Sequence, residues 1–221
     1  LVEKAIATVR QLPVEEWSFP AGMAAPALMG IAAESPPDER ASLLEQSADF
    51  VRDAIVGLPS KIDPVSWPLY PTLSSILMAQ AALANPADVA TLCAEAAALL
   101  QTQPAFSFNP PQRQLLAAQF REVAEMAWNR AFDAEGETRH RLFEASAANY
   151  RSALKVLDPI SGQNPKEIAE IRGNLGLALV EIASTASTDE KEALLAEARA
   201  EFETSLAIFS MHGSTEDDTN C

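Results

Sequence analysis

Between residues 110 and 132 the apolar side chains Val123, Ala124, Ala127 and Ala131 fall one, three and four positions apart, which places them on one face of an α-helix. Arg121, Glu125, Trp128 and Asn129 then occupy a neighbouring face. The apolar pattern returns further along, because residues 117 to 158 align on residues 169 to 210 without a gap at an offset of 52. Identical pairs are few, among them Ala117/Ala169, Ala131/Ala183, Leu142/Leu194, Ala148/Ala200 and Leu154/Leu206. Residue class carries the match: Val123/Leu175, Ala124/Gly176, Ala127/Leu179, Phe143/Leu195, Tyr150/Phe202, Val156/Ile208 and Leu157/Phe209 keep apolar character, as a repeated packing interface demands.

Helix starts recur in a common form, a polar cap followed by proline, any residue, and an acid or amide. The form is found at Ser35-Pro36-Pro37-Asp38, Asn85-Pro86-Ala87-Asp88, Asn109-Pro110-Pro111-Gln112 and Asn164-Pro165-Lys166-Glu167. A cap side chain accepts an orphan N–H, and proline at the first helical position gives up no hydrogen bond. The last of the four residues reaches back to the cap or favours the helix dipole. Ser187-Thr188-Asp189-Glu190 is a further capping box, without the proline. These signals predict helices over residues 1–11, 21–33, 36–57, 68–84, 86–102, 110–132, 138–158, 165–184 and 188–210.

Taken in pairs, the helices after the first form four hairpins, with the small residues Ala25, Ser75, Ala124 and Gly176 at matching points spaced by about 50. The first, over residues 1–11, reads as the second helix of a hairpin whose first helix is missing, so the sequence is expected to be cut from a longer array. Thirteen of the fifteen prolines precede residue 112, which predicts stiffer, less regular connections in the first two hairpins. Trp17 and Trp67, 50 apart and just ahead of two first helices, read as anchors that pin each linker to the array. The expected organisation is one solenoid over residues 1–212 and a disordered tail over 213–221, where nothing apolar is available to bury.

Composition agrees with helices packed through small side chains, since 41 of the 221 residues are alanine. A formal net charge of −15 argues against nucleic acid and anionic membrane as partners, both of which need clustered Lys and Arg. The excess acid suits a basic or amphipathic protein or peptide, or serves the solubility of a long surface. Cys93 and Cys221 form neither a metal spacing nor a disulfide framework. No apolar stretch approaches a membrane span. The residues carry no address; a cytoplasmic location is the default expectation.

Asn174-Leu175-Gly176, then Leu179, Ala198, Phe202, Ser205 and Leu206, resemble the signature positions of the tetratricopeptide repeat family. Unit three matches through Val123-Ala124, Ala127, Ser146, Tyr150, Ala153, Leu154 and Pro159. The spacing is about 50 rather than the family's 34, so the chain is most similar to the family's long-period bacterial arrays. The resemblance implies an all-α fold, a right-handed α-α superhelix of helical hairpins whose first helices line a concave groove.

On that basis the partner-binding candidates are Arg121, Glu125, Trp128 and Asn129 in unit three. In unit four they are Asn174, Leu177, Val180 and Glu181, with Gly173 aligned to Arg121; Thr72, Ile76 and Gln80 are the counterparts in unit two. Some family members clamp a partner's terminal carboxylate. Asn174 matches one clamp position, but Glu122 holds the equivalent place in unit three and opposes that use. The competing reading is that Trp128 and Leu177 pack between neighbouring repeats.

Catalytic material is sparse. His140 and His212 are the two histidines, and no HExxH, CxxC, GxSxG or phosphate-loop pattern is present. No cofactor or metal is expected, and the glutamates read as a solvated face. The sequence therefore predicts a non-catalytic protein- or peptide-binding scaffold that can also self-associate. The alternative is a regulatory or oligomerising array belonging to a larger signalling or effector protein; an enzyme using scattered glutamates is the third reading.

Overall fold

The computed structural model of the chain describes residues 7–8, 11, 18–57, 68–102, 109–157 and 165–213, the side chains of 18–23, 38, 212 and 213 apart. Among these residues there are eight helices and no strand: α1 Ser18–Glu34, α2 Pro37–Val56, α3 Leu69–Ala81, α4 Pro86–Gln101, α5 Pro110–Ala131, α6 Gly136–Leu157, α7 Pro165–Ala183 and α8 Thr188–Gly213. They follow the predicted helices from residue 21 onward within a few residues at each end. The helix expected over 1–11 lies outside the described residues except for helical Ala7 and Thr8 and for Gln11. Trp17, Trp67, Asn164 and the tail after Gly213 also lie outside them.

The caps explain where the helices start. Asn85 Oδ1 accepts the backbone N–H groups of Ala87 and Asp88 at 3.0 and 3.1 Å. At α5 the capping box closes in both directions: Gln112 N–H donates to Asn109 Oδ1 at 3.0 Å and Asn109 N–H donates to Gln112 Oε1 at 3.1 Å. The Glu190 carboxylate accepts from both the backbone and the hydroxyl of Ser187, which holds it below the usual carboxylate range.

The cap predicted at Ser35 is a correction. Its hydroxyl donates backwards to Ile31 O at 2.8 Å, and Pro36, which has no side-chain donor or acceptor, takes the cap position of α2. The end of α1 has orphan carbonyls within reach of a serine that follows it at once, and it captures that serine first. Arg40 collects the remaining carbonyls of this junction, donating to Ala32, Ala33 and Ser35 at 3.0, 2.9 and 3.1 Å.

The chain divides into two compact units, Leu1–Pro104 and Ala105–Cys221. In the first, α1 packs on α2, α3 on α4, and α2 on α3. Phe50, Val51, Leu69, Leu73, Leu77 and Leu100 form its buried centre. Cys93 is buried with them, and loss of solvent pushes its thiol up to about 12, so it serves as a small apolar side chain. Arg52 ties α2 to α4 through two bonds to Glu95, at 2.8 and 3.1 Å.

In the second unit α5 packs on α6, α7 on α8, and α6 on α7. The predicted packing face of α5, Val123, Ala124, Ala127 and Ala131, is fully buried. The link into α6 turns on Gly136, whose φ of 54° is a left-handed conformation that glycine adopts without strain. Three ion pairs run between hairpins: Arg121–Glu167 at 3.4 Å, Arg139–Glu181 at 3.3 Å and Arg151–Glu197 at 2.8 Å. Partly solvated pairs of this kind stabilise by at most about 1 kcal/mol each, so they set register more than stability.

At Gly176 α7 lies close against the Phe202 ring of α8. A Cβ there would stand 2.7 to 2.9 Å from the Phe202 ring, whereas one at Gly173 would meet Ser205 Oγ at an ordinary 3.6 Å. Gly173→Ala should therefore gain helix propensity and raise stability by roughly 0.5–1 kcal/mol. Gly176→Ala forces the ring to move and should lose about 1–2 kcal/mol. Urea unfolding of the two variants checks the opposite signs, and Phe202→Leu should relieve the second.

Candidate functional site

Residues four, three and one apart on α5 bring Arg121, Glu125, Trp128 and Asn129 to one side of that helix, and Asn174, Leu177, Val180 and Glu181 are three, three and one apart on α7. Five of these eight meet. Glu125, Trp128, Asn129, Asn174 and Leu177 line a cavity of about 260 Å³, with Tyr150 of α6 as a sixth residue. Arg121 stands at its edge, with Nε 3.4 Å from Glu125 Oε1 and Nη1 3.4 Å from Glu167 Oε1.

Sequence reasoning missed Tyr150. Its side chain is only 2% exposed, and its hydroxyl is hydrogen-bonded to the Asn174 side chain. Burial pushes the phenol up to about 12, assisted by the negative charge of Glu125; the Asn174 bond and the Arg121 charge act the other way and more weakly. A signal was available, because the aligned residue in unit four is Phe202, and a hydroxyl added to a core aromatic position calls for a polar partner.

Trp128 is fixed from its own hairpin. Its ring meets Phe132 at 5.2 Å and Phe143 at 5.3 Å, both edge to face. Phe132 and Phe143 meet in the same manner at 5.6 Å, and the Arg139 guanidinium lies 5.5 Å from the Phe143 ring. Leu177 remains 47% exposed and Val180 40% exposed.

Glu181 belongs to a second cavity of about 260 Å³, with Arg139, His140, Phe143, Ser184 and Thr185. There Arg139 Nη2 is 3.3 Å from Glu181 and His140 Nδ1 is 2.8 Å from Thr185 Oγ1. The unit-two counterparts are dispersed: Ile76 is core, while Gln80 lines a larger cavity of about 480 Å³ with Glu45, Asp49, Arg52, Leu83 and Asp88. That cavity spans α2, α3 and α4, and no single helix pattern announces it.

No group of three His, Cys, Asp or Glu side chains able to hold a metal ion is found among the described residues. No helix among them is long and apolar enough to cross a membrane. Comparison of the sequence with protein-family models and with curated proteins gives no match.

Tyr150 supplies a pH signature of the site. Its phenol is neutral in the folded chain up to about 12, whereas in the unfolded chain it ionises near its ordinary value of 10. Its contribution is complete below pH 10 and is lost as pH rises toward 12, at roughly 1.4 kcal/mol per unit within that window. Denaturant unfolding at pH 9 and pH 11 should show this loss in the wild type, and Tyr150→Phe should reduce it.

Proposed function

We propose that this chain is a non-catalytic binding scaffold of tetratricopeptide-repeat type, a right-handed superhelix of helical hairpins that takes a protein segment or peptide on the face shared by α5 and α7. The observation that carries the reading is the convergence of Glu125, Trp128, Asn129, Asn174 and Leu177 on one cavity, with Leu177 still exposed there and Val180 exposed on the same helix. Apolar anchors bordered by carboxylate suit a basic or amphipathic segment. Packed helices hold that surface before the partner arrives, so little ordering is needed on docking.

An array of basic, amphipathic and acidic peptides probed with the wild type and with Glu125→Lys, Glu181→Lys tests the reading. Binders should be basic or amphipathic, and the double variant should lose them by about tenfold or more at unchanged helicity. Equal loss from charge reversal at Glu203, on α8, would overturn the assignment to this face.

One observation favours the alternative of an oligomerising or regulatory array. Leu195, Leu206 and Phe209 of α8 are 40%, 65% and 38% exposed and lie eleven and three residues apart, on one side of that helix. A cluster of exposed apolar side chains suits contact with another copy or another domain. Under this alternative, sedimentation should show a concentration-dependent dimer in the wild type and a monomer for Leu206→Glu, Phe209→Glu. A wild type that stays monomeric removes the alternative.

A further inference from the structure

The α5–α7 cavity is too small for a typical small-molecule site, which occupies roughly 300–1,000 Å³. At about 260 Å³ it has room for one side chain of a partner. Its lining has a sign. Glu125 is the one charged residue in it, and the surrounding groups, Asn129, Tyr150 and Asn174, are neutral and can all accept hydrogen bonds. An anion would face the Glu125 carboxylate, and an aliphatic side chain would use none of these acceptors.

Arg121 does not fill this role from inside the chain. It stands 3.4 Å from Glu125 and 3.4 Å from Glu167, whereas Arg172–Glu201 and Arg151–Glu197 in the same unit close to 2.7 and 2.8 Å. Strong charge-assisted bonds run at about 2.7–2.9 Å, so Glu125 keeps unused acceptor capacity. The field at the cavity floor agrees, since at the Tyr150 hydroxyl the charge of Glu125 outweighs that of Arg121.

Trp128 adds the second half of the recognition. Phe132 and Phe143 hold its indole in one orientation, and the surface they leave uncovered borders the cavity. A cation beside an indole is favoured, and a flat guanidinium both stacks on the ring and forks onto a carboxylate, which an ammonium cannot do.

We propose that the cavity between α5 and α7 is a receptor for one arginine side chain of the partner, whose guanidinium meets Glu125 and lies along the Trp128 indole over a floor of Tyr150 and Asn174. The proposal rests on the α5–α7 face being a binding surface and names what its deepest point takes.

The test is ¹H–¹⁵N NMR of the full chain titrated with N-acetyl-arginine N-methylamide, its lysine analogue and its neutral citrulline analogue. The Trp128 indole N–H is assigned by its loss in Trp128→Phe. The arginine probe should shift the Trp128 indole and Asn174 side-chain signals saturably, and the lysine probe should bind roughly tenfold more weakly. Citrulline should shift neither, Glu125→Gln should abolish the arginine response, and Glu203→Gln should leave it intact. Absence of a Trp128 shift, equal response to citrulline, or an undiminished response in Glu125→Gln overturns the proposal.

The peptide array separates this inference from the reading beneath it. Array binders that depend on Glu125 and Glu181 but lack arginine overturn the arginine receptor and keep the binding face. An arginine response at Trp128 without any face-dependent peptide shows that the cavity takes a free guanidinium and overturns both the scaffold and the assignment of that arginine to a partner.

Discussion

Helices that carry few large side chains can approach closely, and that approach is the constraint on which the second unit depends. At Gly176 the Phe202 ring occupies the space a side chain would need. The contact fixes the α7–α8 hairpin, and α7 in turn presents Asn174 and Leu177 toward α5. Ser205 secures the same interface by donating its buried hydroxyl to Ala169 O at 2.7 Å. The helix that carries Asn174 and Leu177 is thus held from its other neighbour by a ring contact at Gly176 and a hydrogen bond at Ala169.

The helices were legible because their ends are written in local chemistry. Asn85 and Asn109 act through side chain and adjacent backbone, and those interactions need no knowledge of the rest of the fold. Ser35 was read wrongly for the same reason in reverse. A serine between two helices can cap the second or bond back to the carbonyl four residues before it in the first, and both patterns fit the same sequence.

The candidate site was legible as a helix face and not as a cavity. Periodicity gave Glu125, Trp128 and Asn129 on α5 and Asn174 and Leu177 on α7, but the floor comes from α6, at a position the repeat marks as core. Glu181 shares the face of Leu177 in projection, yet Arg139 at the start of α6 engages it elsewhere. Depth, and the element that supplies it, are tertiary quantities. The first compact unit makes the same point, because Glu45, Gln80 and Asp88 come together from three helices without a common pattern.

The junction at Arg40 ties two helices into one mechanical element. Its guanidinium binds two carbonyls at the end of α1 and that of Ser35 just beyond it, while its backbone lies in the first turn of α2. A helix normally frays first where its last carbonyls are unbonded. Here the carbonyls of Ala32 and Ala33 are held by a charge on the neighbouring helix, which resists fraying of α1 at the bend. The turn between two helices, commonly the weakest point of a hairpin, is in this protein cross-braced by one side chain.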